Sequence, residues 1–247
     1  MTRFLHVLAA LSLLTPLALT VWLAFSPDAF FTLPVAEWSA RWFGQALGQE
    51  HWREALVRSV WMAALAGAIA TALAVAGAVS MSSGKGWMVV LLPACIPQVA
   101  WAMGLLPLTA LLSEGGRTGM LVLAQAALGL PVAWLVVRLR VDAGLHGLLA
   151  TARGLGARPV QSWWRVGLPC LAPAVATAFL LSATLAFHEP VLCLFLCLPG
   201  QETVPAVAWP TLRSSLTPVV AAVATVTLTA GILMTGLVIQ AWRGRRS

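Results

Sequence analysis

Apolar runs of about twenty residues recur along this chain, separated by short polar or basic segments. The hydrocarbon core of a bilayer is about 30 Å thick, and a helix needs roughly 20 apolar residues to cross it. Of the 247 residues, 60% are hydrophobic and only 9% are charged, whereas a soluble domain contains about 25% charged residues. The apolar runs therefore predict an all-α membrane protein.

Six of these runs are long enough to be predicted as transmembrane helices, and they leave no room for a second large domain. The first, 4–25, is longer than the apolar core of a secretory signal and is followed by a poor cleavage site, so we expect it to be an uncleaved span. The other five are predicted at 57–80, 87–112, 118–137, 170–187 (with an apolar continuation to 198) and 218–242. We expect one domain over 1–247.

Two of the predicted spans contain signals for helix packing. Ala63, Gly67 and Thr71 recur at every fourth residue of the second span, and small residues at this spacing let helix backbones approach closely. Pro93 and Pro97 lie in the third span. Because a proline frees carbonyls that lipid cannot satisfy, we expect a kinked helix that faces protein rather than lipid.

The distribution of basic residues predicts how the chain is oriented. The net charge of +7 could suggest a nucleic-acid partner, but the basic residues lie at the ends of apolar runs rather than in one stripe. Ten fall on one predicted side and five on the other, so the positive-inside rule places the first side and both termini in the cytoplasm. The ten are Arg3, Lys85, Arg138, Arg140, Arg153, Arg158, Arg165, Arg243, Arg245 and Arg246.

The four cysteines all fall in or beside apolar segments. Cys193 and Cys197 are spaced i, i+4, as in some metal sites, but no third or fourth ligand accompanies them. We therefore expect buried structural cysteines rather than a metal site.

The longest basic stretch, 138–169, lies between the fourth and fifth predicted spans, on the predicted cytoplasmic side. Its apolar residues have the spacing of one helix face. They are Leu145, Leu148, Leu149, Ala152 and Leu155. Gly156 is expected to terminate that helix, and Pro159 to open a second short helix over 159–166.

The second short helix contains Trp163 and Trp164 together with Arg158 and Arg165. Exposed aromatic residues and arginines are typical of a surface that docks another protein. Tryptophans are equally typical of a helix that lies on the membrane surface, and composition alone leaves both interpretations open.

The run 150–156, followed by 166–169, resembles the "EAA" loop of ABC importer permeases. In that motif Glu-Ala-Ala is followed by a glycine four residues later and by Ile-x-Leu-Pro ten residues beyond the glycine. The positions in register are Ala152, Gly156, Val166, Leu168 and Pro169. Ala150 replaces the glutamate and Thr151 the first alanine, so any polar anchor made by that carboxylate is absent.

Further segments are similar to permeases of the spermidine/putrescine type. They are 31–34 with Trp38 and Trp42, 55–59, 185–189 through Phe195, 199–205, and Leu212-Arg213 with Pro218. The resemblance implies the type I ABC importer architecture in the bacterial cytoplasmic membrane. The implied partners are a second permease subunit (a paralogue or a second copy), two ATPase subunits and an extracytoplasmic solute-binding protein.

The resemblance also assigns ATPase coupling to the loop. The residues implied are Ala150, Thr151, Ala152, Gly156, Ala157, Arg158, Pro159, Trp163, Trp164, Val166, Leu168 and Pro169. Since the chain has no G-x-x-x-x-G-K-[ST] sequence, ATP and magnesium are expected on the partner ATPase, and this chain is not expected to be an enzyme. A polyamine is the implied solute, with thiamine, phosphonate or ferric ion as alternatives within the family.

Four polar residues in or near the predicted spans are candidates for the solute path. His188 and Glu189 end the fifth span, and the alternative is that they are hydrated at the outer interface. Gln98 and Gln125 lie in the third and fourth spans, where hydrogen bonds between helices are the alternative. Arg58, near the start of the second span, is interpreted as an interface anchor.

Two other classes of membrane protein remain to be distinguished from an importer. A channel or secondary transporter needs no ATPase but requires charged groups at the midplane, and the predicted spans are nearly free of charge. A membrane-embedded enzyme requires clustered His, Asp or Glu residues, and the four histidines are scattered. Co-purification with an ATPase separates these classes.

Overall fold

The computed structural model describes residues 2–28, 37–80, 87–214 and 217–243. Within these ranges all regular secondary structure is helical. The α-helices are α1 (Thr2–Ala24), α2 (Arg41–Gly48), α3 (Glu50–Ser80), α4 (Trp87–Cys95), α5 (Gln98–Thr109), α6 (Glu114–Arg140), α7 (His146–Gly154), α8 (Pro159–Ser162), α9 (Leu168–Phe187), α10 (Val191–Leu196), α11 (Val204–Ser214) and α12 (Val219–Arg243). The predicted features at 31–34 and 81–86, and the basic residues beyond 243, lie outside the described residues.

Three continuous helical segments among the described residues are long and apolar enough to cross a membrane. They are Glu50–Ser80, Glu114–Gly154 and Pro159–Phe187. The pair α4 and α5 adds a fourth if the two helices, which meet at 92°, count as one span. The apolar stretches described in α1 and α12 are Leu11–Ala24 and Val219–Leu233, respectively, and both are shorter than the three continuous spans. The all-α membrane architecture is confirmed, while six spans and cytoplasmic termini stay predictions.

Helices α3, α6 and α9 pack against one another and form the centre of the molecule. Glycines let the backbones approach where α9 crosses the other two helices. A Cβ atom on Gly67 of α3 would lie 2.9 Å from the backbone nitrogen of Ala183 in α9. On α6, Gly129 lies against Ser182, whose hydroxyl donates to the Gly129 carbonyl at 3.2 Å. The predicted row of small residues is confirmed as buried packing, since Ala63 and Thr71 are also buried.

We expect Gly67→Val to destabilise the bundle. The added side chain would meet the α9 backbone, which cannot rotate away, and overpacking of this kind costs typically about 1–3 kcal/mol. Thermal unfolding of the detergent-solubilised protein measures this effect. Gly104→Ala in α5 is the control, because a Cβ atom added at Gly104 would meet no atom within 4 Å, and it should leave the unfolding temperature unchanged or raise it.

The two ends of the central bundle are held by different segments. At one end the Arg138 side chain of α6 donates to the Ala78 carbonyl of α3, and Arg140 donates to the Cys170 carbonyl of α9. At the other end Arg58 of α3 and Arg117 of α6 lie around the same small cavity, together with Gln201. We call these the loop end and the far end. The segment 141–169 lies at the loop end.

The helix boundaries correct several predictions. The third predicted span is divided at Ile96 and Pro97, a sharper break than the expected kink. The predicted apolar continuation of the fifth span is the separate helix α10, and a further helix, α11, lies between it and the sixth predicted span. The second helix of the basic stretch does not stand alone, because it continues through a π-helical turn, Trp163–Gly167, into α9.

Cys193 is buried and Cys197 is half-buried, and the two sulfurs form a disulfide across the end of α10. The expected structural role is thus filled by a covalent bond, which the sequence did not predict. The Cys193 sulfur also accepts the Thr203 N–H at 3.3 Å. Together these contacts fasten α10 to the segment that leads to α11.

Candidate docking loop and polar cavity

Two arginines at the end of α6 fix the base of the segment 141–169. Arg138 forms an ion pair with Asp142 at 2.9 Å and also donates to the last turns of α3. Arg140 donates to the Cys170 carbonyl at 3.0 Å, which joins the end of α6 to the start of α9. The segment therefore leaves and re-enters the bundle at one place. In the sequence these arginines indicated only orientation, and their role as tethers was missed.

The turn at Gly156 has the hydrogen bonds of a Schellman motif. The Ala157 N–H donates to the Ala152 carbonyl at 3.1 Å, and the Gly156 N–H donates to the Arg153 carbonyl at 2.9 Å. Gly156 has φ +93°, a conformation that costs other L-residues roughly 1–2 kcal/mol. The predicted helix terminator is present, and Pro159 begins α8 as predicted.

The inward side of α7 packs onto the ends of the central helices. Leu149 of α7 and Leu145, which directly precedes α7, are buried in one cluster with Ala78, Val137 and Leu171. The prediction of one apolar face is only partly correct. Leu148 is exposed, and Leu155 lies beyond the last turn of α7 with 85% of its surface exposed.

The two tryptophans that the sequence grouped together lie in different surroundings. Trp163 packs on Gly167, where an added Cβ would come within 2.5 Å of the indole ring, and against the cluster that holds Leu149. Trp164 is 69% exposed. Trp163 therefore fixes α8 to α9, and Trp164 is available for contact with another molecule.

The loop presents an outward surface that combines apolar and basic side chains. We call it the docking surface: Leu155, Val160 and Trp164 with Arg153, Arg158 and Arg165, all of them exposed. Of the other residues assigned to coupling, Ala150, Thr151, Pro159, Leu168 and Pro169 are exposed, and Ala152, Ala157 and Val166 are half-buried. Ala150, at the position of the motif's glutamate, offers no hydrogen bond from its side chain.

A second candidate site is a small cavity beside the break between α4 and α5. Its volume is about 170 Å³. Three of the four predicted path residues line it: Gln98, Gln125 and Glu189. The remaining wall is formed by Pro93, Ala94, Ile96, Leu128, Leu185 and Ala186. We call this the polar cavity.

Glu189 is only 4% exposed, so the alternative of a hydrated carboxylate at the interface does not describe it. Both carboxylate oxygens accept the Leu192 N–H at 3.0 Å and thereby cap the start of α10. No cationic side chain pairs with Glu189 among the described residues. An uncompensated buried charge is costly, and a cationic group in the polar cavity would offset that cost.

The other three predicted solute-path residues lie in environments that differ from one another. Gln125 is 2% exposed, and its Nε2 donates to the Ala186 carbonyl at 3.4 Å, which is the predicted hydrogen bond between helices. Gln98 is exposed. His188 is exposed on a different surface, an apolar groove of about 800 Å³ between α1, α9, α11 and α12. His188 and Glu189 therefore do not act at one site.

At the far end, polar residues of α3 hold the segment between α10 and α11. The Arg58 guanidinium donates to the carbonyls of Gly200 and Glu202 at 2.9 and 3.3 Å. The Ser59 hydroxyl accepts the Val204 N–H at 2.8 Å. Arg58 thus anchors a neighbouring segment of protein, and its place at the membrane interface stays a prediction.

The sequence of this chain is similar to those of known transport permeases. The putrescine transport system permease protein PotI of Escherichia coli is 28% identical over 233 residues, which cover 87% of this chain and 81% of PotI. The spermidine/putrescine transport system permease protein PotC of Haemophilus influenzae is 24% identical over 219 residues, 85% of this chain and 84% of PotC. The predicted resemblance is confirmed.

The similarity supports an ABC importer permease of the polyamine type, and these relatives are transport permeases rather than enzymes. A shorter similarity, 33% identity over 148 residues, connects this chain with the molybdenum transport system permease protein ModB of Mycobacterium tuberculosis, over 52% of this chain and 55% of ModB. No protein-family model matches the chain.

Proposed function

We propose that this chain is one permease subunit of an ATP-driven importer and forms half of the solute pathway. The docking surface would bind a separate ATPase subunit that carries ATP and magnesium. A second permease subunit would complete the pathway, and a binding protein on the far side would deliver the solute. The loop end then faces the cytoplasm of a bacterial cell, and 1–247 act as a single permease domain.

The observation that carries this proposal is the construction of the loop between α6 and α9. Its inner side shares one buried cluster with α3, α6 and α9, while its outer side exposes Trp164 and neighbouring arginines. A force applied to the docking surface would therefore act on all three central helices through this shared cluster. Tryptophan and arginine are the residue types that dominate binding energy at protein interfaces.

A polyamine is the solute that the relatives favour, since PotI and PotC are named for putrescine and spermidine transport. The chemistry of the polar cavity agrees with a cationic solute. Among the residues that the structure describes, its lining contains the Glu189 carboxylate and two amides, and no lysine or arginine. We infer that Glu189, Gln98 and Gln125 lie on the solute path.

The experiment that tests this function is Trp164→Ala in the full chain, tagged and purified from its own host. We expect retention of the ATPase subunit to fall by about ten-fold or more, because a central interface tryptophan contributes about 2 kcal/mol or more to binding. Quantitative immunodetection or mass spectrometry of the co-purified ATPase measures the loss. Uptake of radiolabelled putrescine should fall in parallel.

Trp61→Ala is the matched control, because Trp61 is another exposed tryptophan but lies on α3 towards the far end. It should retain the ATPase. If Trp164→Ala retains as much ATPase as the wild-type chain, the docking surface is wrongly assigned. If the wild-type chain retains none, the importer function itself is wrong.

A further inference from the structure

The break between α4 and α5 leaves backbone acceptors without partners. We call the segment Pro93–Gln98 the elbow. The Pro93 carbonyl accepts the Ile96 N–H and the Trp101 indole N–H, both at 3.4 Å. Among the described residues, no hydrogen bond reaches the carbonyl oxygens of Ala94, Cys95 and Ile96. The elbow therefore presents three free acceptors.

The elbow lies deep in the bundle rather than at either end. It shares the polar cavity with Gln125, which lies eleven residues from the start of α6 and fifteen from its end. At 1.5 Å per residue these distances are about 17 and 22 Å. In a hydrocarbon core about 30 Å thick this position is near the middle.

At that depth the elbow cannot face lipid. Each unpaired backbone carbonyl in hydrocarbon costs several kcal/mol, and irregular backbone occurs at membrane depth only where it is buried in protein or lines a water-filled cavity. Cys95, Ile96 and Gln98 are nevertheless exposed in this chain. The exposed elbow therefore requires water or protein on its outer side.

The side chains around the elbow also have unused acceptors. Gln125 is 98% buried, and because its nitrogen donates to Ala186, its oxygen is left without a donor. Glu189 has no cation nearby among the described residues. An unpaired buried acceptor costs about 1–3 kcal/mol. Among the described residues the Gln125 oxygen lacks a donor and the Glu189 carboxylate lacks a cation, and an alkylammonium group supplies both.

We propose that the elbow lines a water-filled section of the solute path and that its carbonyls, with Gln98, Gln125 and Glu189, bind an alkylammonium group. The inference rests on the proposed transport function and specifies the site at which a cation is held. The cavity, about 170 Å³, has room for about five waters at about 30 Å³ each. It accommodates one ammonium group with part of its hydration, so a longer polyamine would pass through it one end at a time.

Cys95 provides a native probe beside this site, since it is an exposed free thiol and lies between Ala94 and Ile96, which both line the polar cavity. The experiment uses membrane vesicles that contain the whole complex, with Cys170→Ser to remove the other free thiol. Rates of modification are measured for a cationic trimethylammonium methanethiosulfonate and an anionic sulfonate analogue, each divided by its rate with free mercaptoethanol. We expect the normalised cationic rate to exceed the anionic rate about five-fold or more. Glu189→Gln and Gln125→Met should reduce that ratio, and 1,4-diaminobutane should protect Cys95 better than 1,4-butanediol.

The control combines Leu123→Cys with Cys95→Ser. This double variant places the thiol at the same depth but on the outer side of α6. Leu123 is exposed, and it lies two residues from Gln125 on the opposite side of the helix. It should resist both charged reagents in the intact membrane, because a thiol in hydrocarbon stays protonated and only the thiolate reacts, and it should react once the vesicles are dissolved in detergent. The proposal is overturned if Cys95 behaves like this control, shows no charge preference, or stays unreactive in detergent as well.

The labelling needs neither ATP nor an ATPase, so its failure is distinguishable from failure of the proposed function. Retained ATPase with an unreactive Cys95 would remove the elbow site and leave the importer function. If Cys95 reacts charge-selectively but no ATPase co-purifies, the elbow site stands and the ATP-driven importer function fails.

Discussion

Replacing Gly156 by valine is expected to reduce both ATPase retention and putrescine uptake by about ten-fold. A β-branched residue is poorly tolerated at φ +93°, and the left-handed conformation costs roughly 1–2 kcal/mol even for simpler side chains. A cost of that size changes the population of the turn by about 5–30-fold. When the Schellman turn opens, α8 and Trp164 no longer keep their position relative to α7.

The added side chain at Gly156 meets no atom within 4 Å, so the effect comes from the backbone conformation and not from a clash. Two variants separate these causes. Gly156→Asn should restore part of the activity, because asparagine enters the left-handed region more readily. Gly154→Ala, in the last turn of α7 with equally open space, should behave as wild type. Equal activity of Gly156→Val and Gly154→Ala would show that the turn is not needed for coupling.

Replacing Glu189 by glutamine is expected to reduce putrescine uptake by about ten-fold or more while the folded chain and its ATPase are retained. Glutamine can still accept the Leu192 N–H that caps α10, so the change removes the charge and little else. A hydrogen bond to a charged group is worth about 1.5–3 kcal/mol, which corresponds to ten-fold or more in affinity. Initial rates of labelled putrescine uptake in a strain without its own polyamine importers measure this loss.

Glu54→Gln is the control for Glu189→Gln, since Glu54 is an exposed carboxylate on the same chain at the far end. It should have little effect on uptake. If Glu189→Gln leaves the rate and its pH dependence unchanged, Glu189 has only its capping role. If wild-type vesicles that retain the ATPase do not take up putrescine, the polyamine assignment is wrong and the coupling predictions still stand.

The sequence predicted best the features that have a single local cause. Gly156 and Pro159 have strong conformational preferences of their own, so the turn and the start of α8 were predictable from residue type and spacing. The buried row at Ala63, Gly67 and Thr71 was predictable for the same reason. The resemblance added what no local rule supplies, the relation to transport permeases.

The errors occurred where tertiary contacts decide the outcome. Pro93 and Pro97 signalled a disturbed helix, but a 92° break rather than a kink depends on what α4 and α5 pack against. Leu148 and Leu155 have helical spacing, yet α7 is too short to bury a full face and ends before Leu155. Trp163 and Trp164 are adjacent, and only the close approach of Gly167 distinguishes them.

The polar cavity also combines residues that the sequence could identify with an arrangement that only tertiary contacts determine. Gln98, Gln125 and Glu189 were recognisable as polar residues in apolar surroundings, which is unusual enough to suggest function. Their meeting at one cavity, and the separation of His188 from it, depend on the elbow and on the cap of α10. The two prolines indicated that carbonyls would be freed, but which carbonyls of the elbow stay unpaired depends on the 92° break.

The measurement that tests the central claim most directly is ATP hydrolysis by the complex that co-purifies with the tagged chain from its own host. We expect the wild-type eluate to contain a subunit with a G-x-x-x-x-G-K-[ST] sequence and to hydrolyse ATP, and the Trp164→Ala eluate to lose about ten-fold or more of that activity while Trp61→Ala keeps it. An eluate of folded wild-type chain with no nucleotide-binding subunit and no ATP hydrolysis would contradict the account.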